Sequence, residues 1–184
     1  MARKKTTWKD LKPTIESFSQ KQLHGLIQDL YQFSPENREF FHARFFSRGR
    51  PSHDALEPYM DRIRIAVSPS EPWKQDVKLS AGRKAIRDFK KANGDISATL
   101  ELMLYYVRCG NDFTLEFGDI DGPFYDSLVS MFGSIVTTLI RQDEPSLTRE
   151  FAPKLIAEFE RIDGKMGWGY AEGLSDWIEQ LPVP

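Results

Sequence analysis

Between Asp95 and Arg141 apolar side chains return every three or four residues, and that spacing is the period of a helix rather than a strand. Leu100, Met103, Leu104 and Val107 mark one face of a first segment, and Leu102, Tyr105 and Tyr106 widen it, so this helix is expected to be surrounded on most sides. Phe124, Leu128, Met131, Phe132, Ile135, Val136 and Leu139 mark a second. The expected helices run Asp95–Cys109 and Pro123–Arg141, and an acidic loop, Gly110–Gly122, is expected between them. Within it Phe113-Thr114-Leu115-Glu116-Phe117 alternates like a strand, but a lone strand has no partner, so extended backbone over the helix pair is the expectation.

The same period continues on both sides. Trp8, Leu11, Ile15 and Phe18 share a face, with Pro13 either kinking that helix or marking its first turn. Ser19-Gln20-Lys21-Gln22 has the form of a capping box, and Leu23, Leu26, Ile27, Leu30 and Tyr31 follow as an apolar stripe. Ser34-Pro35-Glu36 starts a third helix, which Gly49-Arg50-Pro51 ends. Leu56, Tyr59, Met60, Ile63 and Val67 line a fourth, and the proline-dense Ser68–Pro72 then forbids helix. A helix through Leu79, Ile86 and Phe89 closes at Asn93-Gly94. After Pro145, Phe151, Leu155, Ile156, Phe159 and Ile162 form another stripe. Gly164–Gly173 is expected to be a loop in which Trp168 plugs the last helix, carrying Leu174, Trp177 and Ile178, into place. The expected fold is therefore all-α: a compact array of antiparallel helical hairpins, about seven to nine helices, without substantial sheet. Residues 1–184 are expected to form one domain, with 68–76 as the candidate seam.

Two sequence-wide features bear on function. The net charge of −2 conceals a split: residues 1–91 carry 19 Lys and Arg against 11 Asp and Glu, and residues 92–184 carry 6 against 16. The split reads either as two halves that attract each other or as a polyanion-binding face. Cys109 is the single cysteine, which fits a reducing compartment, so the chain is expected to be cytoplasmic. No apolar run approaches the roughly 20 residues of a membrane helix, and the basic Met1–Lys5 start is not followed by an apolar segment, so neither membrane contact nor a secretory signal is expected.

Leu11-Lys12, Phe18–Leu23, Leu26–Tyr31 and Ser34–Phe41, then Ile86–Lys91, Phe117–Asp121, Phe124-Tyr125 and Gly167-Trp168-Gly169, resemble an uncharacterised bacterial family catalogued as a domain of unknown function. The resemblance covers most of the chain and rests mainly on core and cap residues. It implies an all-helical fold and brings no catalytic residue, ligand or cofactor with it.

Three constellations are chemically suggestive. Asp112, Glu116, Asp119 and Asp121, with Asp126 nearby, place oxygen ligands where a divalent cation could sit, although the spacing is not that of an EF-hand and Asp121 has a capping role to fill. His24, His42 and His53 have no metal-ligand spacing, and Cys109, at the end of an apolar helix, reads as a small core residue. No phosphate-binding glycine loop is present, so no cofactor is expected. The third constellation is basic: Arg44, Arg48 and Arg50 among the phenylalanines, then Arg83, Arg87, Lys90 and Lys91 at helical spacing, expected on the face opposite Ile86 and Phe89. Such a row can meet phosphates, or can be a solvated outer face. Abundant helix faces without a reaction motif favour a non-catalytic interaction module whose partner is another protein or itself. A nucleic-acid-binding module using the basic half, and an enzyme or metal protein using residues 112–126, are the alternatives.

Overall fold

The computed structural model describes residues 6–45 and 53–182. Among them the chain forms nine helices and no strand. They are α1 (Trp8–Glu16), α2 (Gln20–Phe33), α3 (Pro35–Phe45), α4 (His53–Val67), α5 (Leu79–Ala92), α6 (Ile96–Phe117), α7 (Gly122–Gln142), α8 (Pro145–Ile162) and α9 (Tyr170–Ile178).

The ends follow from local chemistry. The Gln22 amide donates to Ser19 Oγ at 3.3 Å while Gln22 Oε1 accepts from the Ser19 amide at 2.8 Å, a complete capping box. Asp95 and Asp121 cap α6 and α7 by accepting from the Ala98 and Phe124 amides at 2.7 and 2.8 Å. Pro35 and Pro145 open α3 and α8, where a missing N–H costs nothing. Pro13 lies inside α1 rather than in its first turn.

The core is built on α6, which packs against α4, α5, α7 and α8. Thirteen of its residues are buried, from Ala98 to Thr114. Consecutive helices also pack in pairs, α2 on α3, α4 on α5, α6 on α7 and α8 on α9. One continuous cluster runs from Ala43 and Leu56 through α5, α6, α7 and α8 to Leu174. By contrast, α1 and α2 bury no residue, and α2 rests on α3 alone among its substantial contacts.

Two expectations are overturned. The acidic loop after Cys109 is shorter than expected: α6 continues through Gly110 to Phe117, so Asp112 and Glu116 are helical, Phe113–Phe117 is not extended, and only 118–121 connect to α7. Gly110 serves packing, since a Cβ there would lie 2.5 Å from a Leu128 methyl. The terminator is Gly118, at φ 91°, whose amide returns to the Thr114 carbonyl at 2.8 Å. Nor does Trp168 plug the last helix. It is 66% exposed, and α9 is held instead by buried Tyr170 and Leu174 and by Trp177 against Gly133. The glycine-rich loop is shorter than expected, because Gly173 lies within α9.

The apolar run of α7 is also longer than the sequence suggested. The helix is 21 residues long and its best 18-residue window has a mean hydropathy of 1.2, which by length and composition alone is enough to cross a bilayer. Half of that window is buried against its neighbours, as a core helix requires.

The two charged halves meet through apolar side chains of α4, α5 and α6. Among the described residues every ion pair closes within its own half: Arg62 with Glu39 and Asp88, Lys84 with Asp88, Lys154 with Glu101, Arg161 with Asp112 and Glu158. Among the described residues, then, no ion pair bridges the two halves.

Candidate interaction groove

Helix α5 carries its buried side on small residues. Gly82, Ala85 and Ala92, with Ile86 and Phe89, let it lie close to α4 and α6; a Cβ on Gly82 would meet Val67 at 2.8 Å and Tyr106 at 3.0 Å. Positions 83, 87 and 90 then fall three and four residues apart along one edge of the helix. The structure places this edge beside Ile86 rather than opposite it, because the cations flank the buried arc.

Arg83, Arg87 and Lys90 form one rim of a groove of about 480 Å3 between α5, the first two turns of α6, and α7. Its floor is apolar: Ile86, Leu100, Met103 and Met131 are all buried. The far rim is Ser134, Thr138 and Gln142 of α7, and Thr99 lies at the α6 side. Ser134 Oγ donates to the Ser130 carbonyl, Thr138 Oγ1 to the Ser134 carbonyl and Thr99 Oγ1 to the Asp95 carbonyl, at 2.7, 2.7 and 2.6 Å. With their protons committed to their own helices, these hydroxyls offer a ligand lone pairs. One rim thus attracts anions and the other accepts N–H groups.

Arg83 is fixed in place. Its Nε and Nη2 donate to Ser127 Oγ and to the Ser127 carbonyl at 3.1 and 2.7 Å, and the guanidinium lies 5.7 Å from the Tyr106 ring centre. Burial lifts the Tyr106 phenol above its ordinary range although Ser127 and Arg83 oppose this. Arg87 and Lys90 are exposed and, among the described residues, have no ion-pair partner. The remaining basic candidates do not join them. Lys91 is exposed and lines no part of the groove. Lys84 is tied to Asp88 at 2.6 Å. Arg44 lies on α3 over the Phe40 ring, and Arg48 and Arg50 lie outside the described residues.

The acidic candidates are dispersed. Asp112 pairs with Arg161 Nη1 at 2.8 Å. Asp119 accepts from the Tyr125 hydroxyl at 2.5 Å and the Gly167 amide at 3.2 Å, which hold its carboxyl below the ordinary range. Asp121 is the α7 cap, and Glu116 is exposed on the last turn of α6. Among the described residues no three His, Cys, Asp or Glu side chains converge as metal ligands would. Cys109 is buried, and burial pushes its thiol up to about 12. His42 Nε2 meets the Tyr31 hydroxyl at 3.0 Å.

Sequence reasoning missed a second polar assembly. Fully buried Asn111 donates from Nδ2 to Glu158 Oε1 and accepts at Oδ1 from the Tyr170 hydroxyl, both at 2.7 Å. Arg161 Nη2 and Nε hold the two Glu158 oxygens at 2.6 and 3.2 Å, and Arg108 approaches at 3.5 Å. The available signal was one asparagine inside an apolar helix, and one carboxylate three residues after Leu155 and four before Ile162. The assembly is internally satisfied and ties α6, α8 and α9 together.

Comparison of the chain with family models, with curated proteins and with solved structures found no match. The resemblance to an uncharacterised bacterial family therefore stands on the residues quoted for it, and the functional reading rests on the groove.

Proposed function

We propose that the chain is a helical interaction module that receives an acidic, apolar segment of a protein partner in the α5–α6–α7 groove. The observation that carries this reading is the pairing of a buried apolar floor with two cations, Arg87 and Lys90, that have no ion-pair partner among the described residues, along one edge. An amphipathic helix laid in such a groove would bury apolar anchors on Ile86, Leu100, Met103 and Met131 and turn carboxylates toward α5. The hydroxyls of the α7 rim act as acceptors, like phosphate oxygens, so that side of the groove adds nothing for a phosphate backbone. Of the row expected from sequence, Arg83, Arg87 and Lys90 line the groove and Lys91 does not, so the row available to phosphates there is short.

Fluorescence anisotropy with a labelled synthetic acidic amphipathic helix tests the reading. The expected result is saturable binding that weakens with salt and falls at least about tenfold in a double charge reversal, Arg87→Glu with Lys90→Glu. Equal binding by wild type and variant would remove the groove from consideration. Tighter binding of an unstructured DNA oligonucleotide than of the peptide, with the same dependence on Arg87 and Lys90, would favour the nucleic-acid reading instead.

A further inference from the structure

The opposite end of α6 carries the kind of surface this groove would accept. Leu115, Phe117 and Ile120 are 43%, 38% and 36% exposed, and Trp168 lies beside the start of α7, 3.7 Å from where a Gly122 Cβ would stand. Glu116 lies between the first two apolar residues and has no cation partner among the described residues. Asp119 and Asp121 add two carboxylates whose neighbours are a phenol and backbone amides, so their negative charge is not cancelled. This end is both apolar and acidic, where the groove is apolar and basic.

We propose that the chain associates with itself head to tail, the acidic apolar end of α6 in one copy seating in the α5–α6–α7 groove of the next. The proposal rests on the groove reading and names its partner. Three points argue for a second copy. First, the two surfaces are complementary in charge and each leaves apolar surface in water, Ile96 beside the groove and Leu115 and Phe117 at the acidic end. Second, the groove is walled by the first turns of α6 and the acidic end lies at its last; 22 residues at about 1.5 Å each put the helix ends about 33 Å apart, so a molecule cannot fill its own groove. Third, two different patches on one molecule make a heterologous contact, which leaves one groove and one acidic end open after each addition. Few side chains take part, so each contact is weak and salt-dependent.

Sedimentation velocity on the full chain, over a wide concentration range at low and high salt, is the test. Wild type is expected to sediment as a concentration-dependent series of species that collapses toward monomer in high salt. Arg87→Glu with Lys90→Glu removes the groove's charge; Glu116→Lys with Phe117→Ser removes the other surface. Circular dichroism and melting confirm that both variants fold, which the exposure of all four residues favours. Each alone should be monomeric, with a dissociation constant raised at least about tenfold. Mixed, they should form a one-to-one dimer and nothing larger, because one intact groove and one intact acidic end remain. Wild type that stays monomeric throughout, variants that still assemble, or a mixture that fails to pair would each overturn the proposal. Assembly abolished by Ile27→Ser with Phe33→Ser on α2, while both other variants still assemble, would reassign it to the N-terminal helices. The same preparations titrated with the unrelated acidic peptide separate the two levels. Peptide binding by a monomeric wild type, lost in the Arg87 and Lys90 variant, overturns self-pairing alone; no peptide binding and no assembly overturns both.

Discussion

Asn111 and Glu158 share a hydrogen bond of 2.7 Å in the interior, and each is less than 5% exposed. Neither would be stable there alone, because a buried amide or carboxylate without partners costs several kcal/mol. Tyr170 and Arg161 complete the set, so three helices depend on a single asparagine. Asn111→Leu leaves the Tyr170 hydroxyl without an acceptor and Glu158 short of a donor. The expected loss is about 2–4 kcal/mol in urea denaturation. A loss under about 0.5 kcal/mol would show that the assembly rearranges freely.

Two glycines in helices should respond with opposite signs. A Cβ at Gly133 would stand 2.3 Å from Trp177 Cε2, so the half-buried indole, a rigid ring, would have to shift. Gly133→Ala is expected to destabilise by about 1–3 kcal/mol, and Trp177→Leu should relieve most of that in a double-mutant cycle. Gly25, in α2, has nothing within 4 Å of a Cβ. Gly25→Ala should stabilise by about 0.5–1 kcal/mol through helix propensity, read as a raised melting temperature.

Asp88 should contribute to acid sensitivity. Partial burial works against its charged form, but hydrogen bonds from Lys84 and Arg62 outweigh it, so the carboxyl lies below its ordinary 3.8. A group depressed in the folded state stabilises above the unfolded value and loses that contribution as pH falls through the folded one. Asp88→Asn should cost about 0.5 kcal/mol near neutrality in low salt, and the difference from wild type should shrink as pH falls below the ordinary 3.8. A gap that persists at low pH would assign the effect to packing.

Alkali should act on buried acids in the reverse sense. Burial pushes the thiol of Cys109 and the phenols of Tyr59, Tyr105 and Tyr125 up to about 12. A raised folded value leaves stability intact below the unfolded one and removes it as pH climbs through the folded one. Stability should therefore fall steeply between about pH 9 and 12, with tyrosinate absorbance rising together with unfolding. A disulfide reagent at pH 8 should label Cys109 only on the timescale of opening. Prompt labelling of native protein would contradict its burial.

Much of the fold was legible because helix faces and caps are local. Ser19, Asp95 and Asp121 cap where their side chains and following residues say they should. What failed was glycine. Gly110 reads as a stop, yet its neighbour Leu128 is distant in sequence, and only that contact reveals a packing role. Trp168 reads as an anchor by its size, yet it is 66% exposed, because burial depends on distant neighbours that sequence does not name. The site was half legible. Positions 83, 87 and 90 share a stripe in any helix, but the floor beneath them comes from Leu100, Met103 and Met131 on two other helices.

Hydrogen–deuterium exchange with and without the synthetic acidic amphipathic helix tests the groove most directly. The expected result is slowed exchange confined to residues 83–90, 96–103 and 131–142, lost when Arg87 and Lys90 are reversed to glutamate. Protection that falls instead on α2 and α3, or protection that survives the charge reversal, would contradict it.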